Sequence, residues 1–411
     1  MATFESWIGI AFFGAVLAGA QPAVAEIKPG LVGEQTLYKF CSQPACADGQ
    51  FPFGPVIADS AGNLYGTTSL GGAFNLGVVY KVAPDGTETV LHSFQGGKDG
   101  ATPYSGLAFD AAGDLVGTTS EGGGSIQCGD AGCGTVFKLA PDGTETILHA
   151  FCLGKRTCSD GISPFSGVTL DESGNMYGTT QYGSIDTHLD NGIVFKLKPD
   201  GRERILWSFG NGGDVANPIS GVFLDGKYGI LGTAPEGSSG SGSAGGIYRI
   251  RRNGVETVLY GFPLSYELGP QSDLVPDGQG HFYGTTPEGS SFGTVYQLTY
   301  PRKVVTLHTF GGNGGDGFEF YAEGVAYYNG NLYGTSDGGG GGPPYEGTIY
   351  ELTTSGAETI LHWFVGSPDG DTPRATPLIF EGYLYGTTEF GGTTGCGGRG
   401  CGAVYRAGPI N

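Results

Sequence analysis

A Gly-Thr pair preceded by an apolar residue recurs seven times, at Gly66, Gly117, Gly178, Gly232, Gly284, Gly334 and Gly386, with spacings of 51, 61, 54, 52, 50 and 52 residues. A fixed period of this size marks a supersecondary unit stacked on copies of itself. Three further elements recur with it. Val79-Tyr80-Lys81 and its six counterparts follow each pair, and Leu91-His92-Ser93-Phe94 typifies a third run. Gly106-Leu107-Ala108-Phe109-Asp110 typifies a fourth, ahead of each Gly-Thr. All are short apolar and aromatic runs bounded by Gly, Asp, Asn or Pro, the strand signature. Four strands in about 50 residues, seven times over, predict an all-β fold: a seven-bladed β-propeller of four-stranded blades.

Strands A to D run outward from the axis of such a ring. Tight C-to-D turns such as Asp85-Gly86, Asp142-Gly143 and Asp200-Gly201 suit positive φ. The third run has six copies in step with the others, and a seventh is displaced to the amino-terminal end as Leu37-Tyr38-Lys39-Phe40. Residues 36–40 are therefore expected to become strand D of the last blade, beside Val404-Tyr405, closing the ring without an open edge. An open solenoid has no use for a displaced strand. Glycine supplies 81 of 411 residues, but not at every third position, so collagen is excluded.

The unit from Leu64 to Phe94 resembles the GloVer tandem repeat of secreted bacterial proteins, and the resemblance spans about Gln35 to Arg406. It implies an exported propeller and transfers no catalytic residue. The residues themselves also point to export. An apolar run from Ile8 to Ala20 leads to Ala23-Val24-Ala25, so Met1 to Ala25 reads as a signal peptide and 26–411 as one domain. The first seven residues carry Glu5 and no base, which leaves a buried strand as the other reading. With Lys plus Arg 20 and Asp plus Glu 40 the net charge is −20, a poor match for nucleic acid or anionic membrane. No later run is long enough to span a bilayer, and a monomer is expected.

Eight cysteines downstream of a signal peptide suggest disulfides rather than zinc. Hairpin register places Cys133 opposite Cys152, with Cys128 near Cys158; by repeat equivalence Cys41 faces Cys401 and Cys46 faces Cys396. Those four pairings are the expectation, with local bonds within each close pair as the alternative; the last two would lock the seam by roughly 5 kcal/mol or more.

D-to-A and B-to-C links emerge on one face of a propeller and are long here, so function is expected there. Asp48, Asp99, Asp160, Asp214, Asp316 and Asp369, with Glu267, repeat in the D-to-A loops. They form either a carboxylate ring for a polyhydroxylated ligand or a cation such as calcium, or turn formers that each hold their own loop. Glu121, Glu236 and Glu288 add acids in B-to-C loops. No other cofactor is expected. His92, His149, His308 and His362 interchange with Tyr38, Trp207 and Tyr260, which points to packing. Tyr182, Asp186, His188 and Asp190 break the repeat and supply a candidate acid–base group; Phe318, Tyr345 and Tyr266 are candidate sugar-stacking residues. Three functions fit these residues: a secreted binding module for a glycan or other extracellular ligand, a carbohydrate-active lyase or hydrolase at the funnel mouth, and a structural or partner-binding propeller.

Overall fold

The computed structural model describes residues 33–154, 157–184, 191–210, 213–237, 241–266, 268–287, 292–311, 317–318, 324–339, 346–393 and 395–410. Seven four-stranded antiparallel sheets form the blades of a β-propeller. In blade 1 the strands are Ile57–Ala58, Leu64–Thr68, Val78–Val82 and Glu88–Ser93, from axis to rim. Blade 7 takes its outermost strand from the other end of the chain: Gln35–Lys39 pairs with Ala403–Ala407, Gln35 opposite Arg406 and Tyr38 opposite Val404. The expected closure is what the ring shows.

The repeated residues explain why blades with this sequence stack. The glycine of each Gly-Thr lies opposite a C-strand aromatic, as Gly66 does Tyr80. A Cβ at Gly66 would lie 2.4 Å from the Tyr80 hydroxyl, so only glycine lets that ring cross the B strand. In six blades the following threonine ties its blade to the next. Thr67 Oγ1 donates to Ser105 O at 2.8 Å and Thr118 Oγ1 to Ser166 O at 2.8 Å, and Thr387 Oγ1 closes the circuit on Gly54 O.

An aromatic belt repeats further out. The phenylalanine ending each D strand packs edge-on against the C-strand aromatic of the next blade, from Phe94 on Phe137 at 5.2 Å to Phe40 on Tyr80 at 4.9 Å across the seam. All seven junctions carry this pair. Each such pair adds roughly 0.5–1.5 kcal/mol beyond its buried area.

The cysteine pairings need correction. The bonds are local: Cys41–Cys46, Cys128–Cys133, Cys152–Cys158 and Cys396–Cys401. Cross-strand bonds Cys133–Cys152, Cys128–Cys158, Cys41–Cys401 and Cys46–Cys396 are not formed. The register does bring the two groups together. Thr135 lies opposite Ala150, and the sulfurs of Cys128, Cys133 and Cys158 lie within 4.8 Å of one another, as do those of Cys41, Cys396 and Cys401. The strand, however, ends at Ala150, and Cys152 turns into the left-handed region at φ 59°. The loop then folds back so that Cys158 Cα sits 4.6 Å from Cys152 Cα. Cys41, at φ 60°, makes the same turn at the seam.

Candidate functional site

On the long-loop face, the D-to-A link entering a blade pairs with that blade's B-to-C link. Gly100–Ala101 pairs with Glu121–Gly122, Val215–Ala216 with Glu236–Gly237, and Gly317–Phe318 with Gly338–Gly339. Single bridges do the same for Gln50 with Leu70, Ile162 with Tyr182, and Asp371 with Phe390. Short bridges hold this face in place over the blades.

The described acids of the D-to-A loops, Asp48, Asp99, Asp160, Asp214 and Asp369, point into the junctions between blades, not out to solvent. Asp160 is 1% exposed; it accepts the Cys152 N–H at 3.1 Å and lies 3.3 Å from His149 Nε2. Asp99 Oδ2 accepts the Gln95 N–H at 2.8 Å and contacts His92 Nε2 at 3.4 Å. Asp48 accepts Tyr38 Oη–H at 2.7 Å, Asp214 accepts Trp207 Nε1–H at 3.0 Å, and Asp369 contacts His362 Nε2 at 3.1 Å. The aromatic or histidine at one strand position thus orients the acid that follows it.

Each junction with a described acid also receives a glutamate from the neighbouring outer strand. Glu145 hydrogen-bonds Asp99, and Glu34 hydrogen-bonds Asp369. Burial, then the adjacent aspartate, pushes Glu145 up to about 9 and Glu34 up to about 8. Glu88 beside Asp48 rises to about 7 and Glu256 beside Asp214 to about 8, again chiefly through burial. Burial alone would raise Asp99, but hydrogen bonds from His92, Glu145 and the Gln95 N–H outweigh it and hold that carboxyl low. At neutral pH Glu145 therefore carries the proton and donates it to Asp99.

These clasps account for Asp99 and Asp160 as loop and blade fasteners. His92, Asp99 and Glu145 bring donor atoms within 4.8 Å of one another, as do His149, Asp160 and Glu203, and Glu34, His362 and Asp369. Each set mixes a ring nitrogen with carboxylates, unlike the all-oxygen shell calcium favours.

An open concave feature of the loop face is the mouth of the axial channel. A cavity of about 300 Å³ lies on the axis. In six of the seven blades a residue ahead of the innermost strand meets it: Phe53, Tyr104, Phe165, Ile219, Gln271 and Arg374, all half-buried. Three consecutive blades thus contribute an aromatic arc. Phe53 meets Tyr104 edge-on at 5.2 Å, and Tyr104 stacks on Phe165 at 5.3 Å. The arc ends in a cation. Arg374 lies over Phe53 at 5.5 Å and pairs with Glu389, Nε to Oε2, at 2.5 Å. Burial, then the charges of Glu121 and Glu389, raise the Tyr104 hydroxyl, so those carboxylates flank it. Glu121 itself accepts from Thr102 Oγ1 at 3.1 Å.

Asp273 is the odd residue of the lumen. Gly106, Gly167, Gly221 and Gly324 hold its position in four other blades. Its carboxylate faces the open lumen yet lies deep within the ring, and it accepts the Gly221 N–H at 2.6 Å. That depth raises its pKa. The strand pattern flags none of these channel residues. They show only when the blades are aligned on the Ser-Gly step of Ser105-Gly106 and Ser166-Gly167.

The remaining candidates fall apart from this mouth or outside the described residues. Tyr182 is 38% exposed on the loop face, and Glu236 is exposed there. Tyr266 lies in a short 3-10 turn and Phe318 in a two-residue strand. Asp186, His188, Asp190, Glu267, Glu288, Asp316 and Tyr345 lie outside the described residues, as does the segment 1–25. Among the described residues no helix is long and apolar enough to cross a membrane.

The sequence profile of the Gloeobacter/Verrucomicrobia repeat matches residues 10–189, 125–345 and 187–405. No curated relative matches the sequence. Similar solved structures include a gluconolactonase from Xanthomonas campestris, 16% identical over 95% of this chain and 98% of that one, TM-score 0.42. A periplasmic gluconolactonase from Pseudomonas aeruginosa is 15% identical over 86% and 98%, TM-score 0.47. A PQQ-bound aldose sugar dehydrogenase from Streptomyces coelicolor is 12% identical over 94% and 99%, TM-score 0.44.

Proposed function

The chain belongs to the Gloeobacter/Verrucomicrobia repeat family, and from its channel mouth we propose that it is an exported binding protein that takes a glycan on its long-loop face. The observation that carries this reading is the arc Phe53, Tyr104 and Phe165, half-exposed aromatic faces at three adjacent blades. Aromatic faces stack on the C–H side of sugar rings, while their hydroxyls need polar partners. Glu121, Glu389, Gln271 and Arg374 supply those partners around the same mouth. Retention of the protein on immobilised neutral and acidic polysaccharides, compared with Tyr104→Ala and Phe165→Ala, tests it. Loss of retention in both variants is expected; retention equal to that of the unaltered protein defeats the proposal.

A carbohydrate-active enzyme is the second reading, and Asp273 favours it. A lone carboxyl with a raised pKa, projecting into the lumen where sister blades have glycine, has the character of a proton donor. New reducing or unsaturated ends from the same polysaccharides, abolished in Asp273→Asn, would establish it. Binding without new ends leaves the first reading.

A further inference from the structure

Eight of the 20 Lys and Arg residues lie between residues 196 and 252, in a chain with 40 acids. Several meet in a cleft of about 360 Å³ between blades 3 and 4, on the short-turn face opposite the loops. The repeat shows how unusual this cleft is. Arg204 stands where Thr89, Thr146, Thr257 and Thr359 stand in other blades. Arg251-Arg252-Asn253 replaces the Ala83-Pro84-Asp85 and Ala140-Pro141-Asp142 of blades 1 and 2. Each of the four departures makes the site more positive by one charge.

The acids nearby are already engaged. Asp171 accepts from Asn175 Nδ2 at 2.8 Å and lies 3.6 Å from Lys196 Nζ. Asp225 accepts the N–H groups of Lys227 and Tyr228, both at 2.6 Å. Arg252 donates to Gly226 O at 2.7 Å. Arg204 and Arg251 are exposed, and among the described residues no hydrogen bond or ion pair engages either guanidinium. The floor is aliphatic: Leu206, Leu224, Ile230 and Ile250. The equivalent cleft between blades 7 and 1 is smaller, about 230 Å³. It keeps Ala83-Pro84 and holds one cation, Arg406, which donates to Gln35 at 2.7 Å.

We propose that the blade 3–4 cleft binds a small amphiphilic anion. Arg204 and Arg251 grip its carboxylate, sulfate or phosphate head with their planar forks. The hydrocarbon body lies along Leu206, Leu224, Ile230 and Ile250, where its burial supplies the rest of the affinity. This site is separate from the channel mouth, and its test uses no sugar.

Calorimetric titration of the purified protein with decyl sulfate below its micelle concentration, decyl maltoside and inorganic sulfate tests it. Saturable one-to-one binding of decyl sulfate is expected, about ten-fold or more tighter than either control. Arg204→Thr combined with Arg251→Ala restores the residues of sister blades, so folding should survive. That variant should bind decyl sulfate about ten-fold more weakly with an unchanged melting temperature. Wild-type affinity should also fall as sodium chloride is raised, a readout that needs no variant. Equal binding of decyl maltoside removes the anion from the proposal, and equal binding of inorganic sulfate removes the apolar body. Absence of saturation, salt-independent affinity or an unaffected folded double variant each overturns it.

Discussion

Glu145 and Asp99 share a proton between two blades, and that single group sets a measurable pH response. A carboxyl raised to about 9 holds its proton in the folded chain while the unfolded chain has lost it above about 4.5. Folding therefore takes up a proton between those values, and this contribution to stability falls as pH rises through the window. Gln in place of Glu145 mimics the protonated form at every pH. In Glu145→Gln the loss of stability between pH 5 and pH 9, read by urea unfolding, should shrink by an amount on the order of a few kcal/mol. An unchanged loss would mean that Glu145 is ionised in the fold. At the same scale, Gly66→Ala should cost about 1–3 kcal/mol, because its Cβ meets the Tyr80 ring and overpacking has that cost.

Strands and hairpins carry the next lesson. The seven Gly-Thr pairs made the B strands legible because only glycine admits the crossing aromatic, so the repeat is a packing requirement written in sequence. The displaced Leu37 to Phe40 made closure legible for the same reason: Phe40 completes the aromatic belt. The cysteine register was legible only in part. Leu139 lies opposite Glu145, so the turn is one residue longer than the Asp142-Gly143 signature implies. A bulge between Val136 and Phe137 then restores the offset, and Cys133 does come near Cys152's loop. Which sulfurs join is decided by the positive φ of Cys152, a loop property that strand periodicity does not encode. Non-reducing peptide mapping should find Cys128 joined to Cys133 and Cys152 to Cys158. Because each loop is so short, Cys41→Ser with Cys46→Ser should cost only about 2 kcal/mol and leave the ring closed. A loss nearer 5 kcal/mol would favour the seam-locking pairings instead.

Across the whole molecule, several inter-blade clasps titrate in the same direction. Glu34, Glu88, Glu145 and Glu256 rise to about 8, 7, 9 and 8, so all take up protons on folding above pH 4.5. The lowered aspartates Asp59, Asp99, Asp171 and Asp277 act oppositely, and only below their ordinary value of 3.8. Melting temperature should therefore peak near pH 4–5 and decline toward pH 9; a maximum above pH 7 would show that the clasps do not hold protons.

The channel mouth was the least legible part. Its residues stand in links, at a position visible only after the blades are set on a common axis, and each differs from the next. Strand periodicity carries no such information. The loop acids, by contrast, stood out in sequence because they repeat, and the five described ones each fasten a junction between blades.

The most direct measurement is calorimetric titration of the protein, Tyr104→Ala and Phe165→Ala with soluble oligosaccharides of the polysaccharides that retain it. Each variant should remain folded and bind about five-fold more weakly, the equivalent of about 1 kcal/mol of lost stacking. Undiminished affinity in both, with binding lost instead on altering Tyr182 at the rim, would contradict a site at the channel mouth.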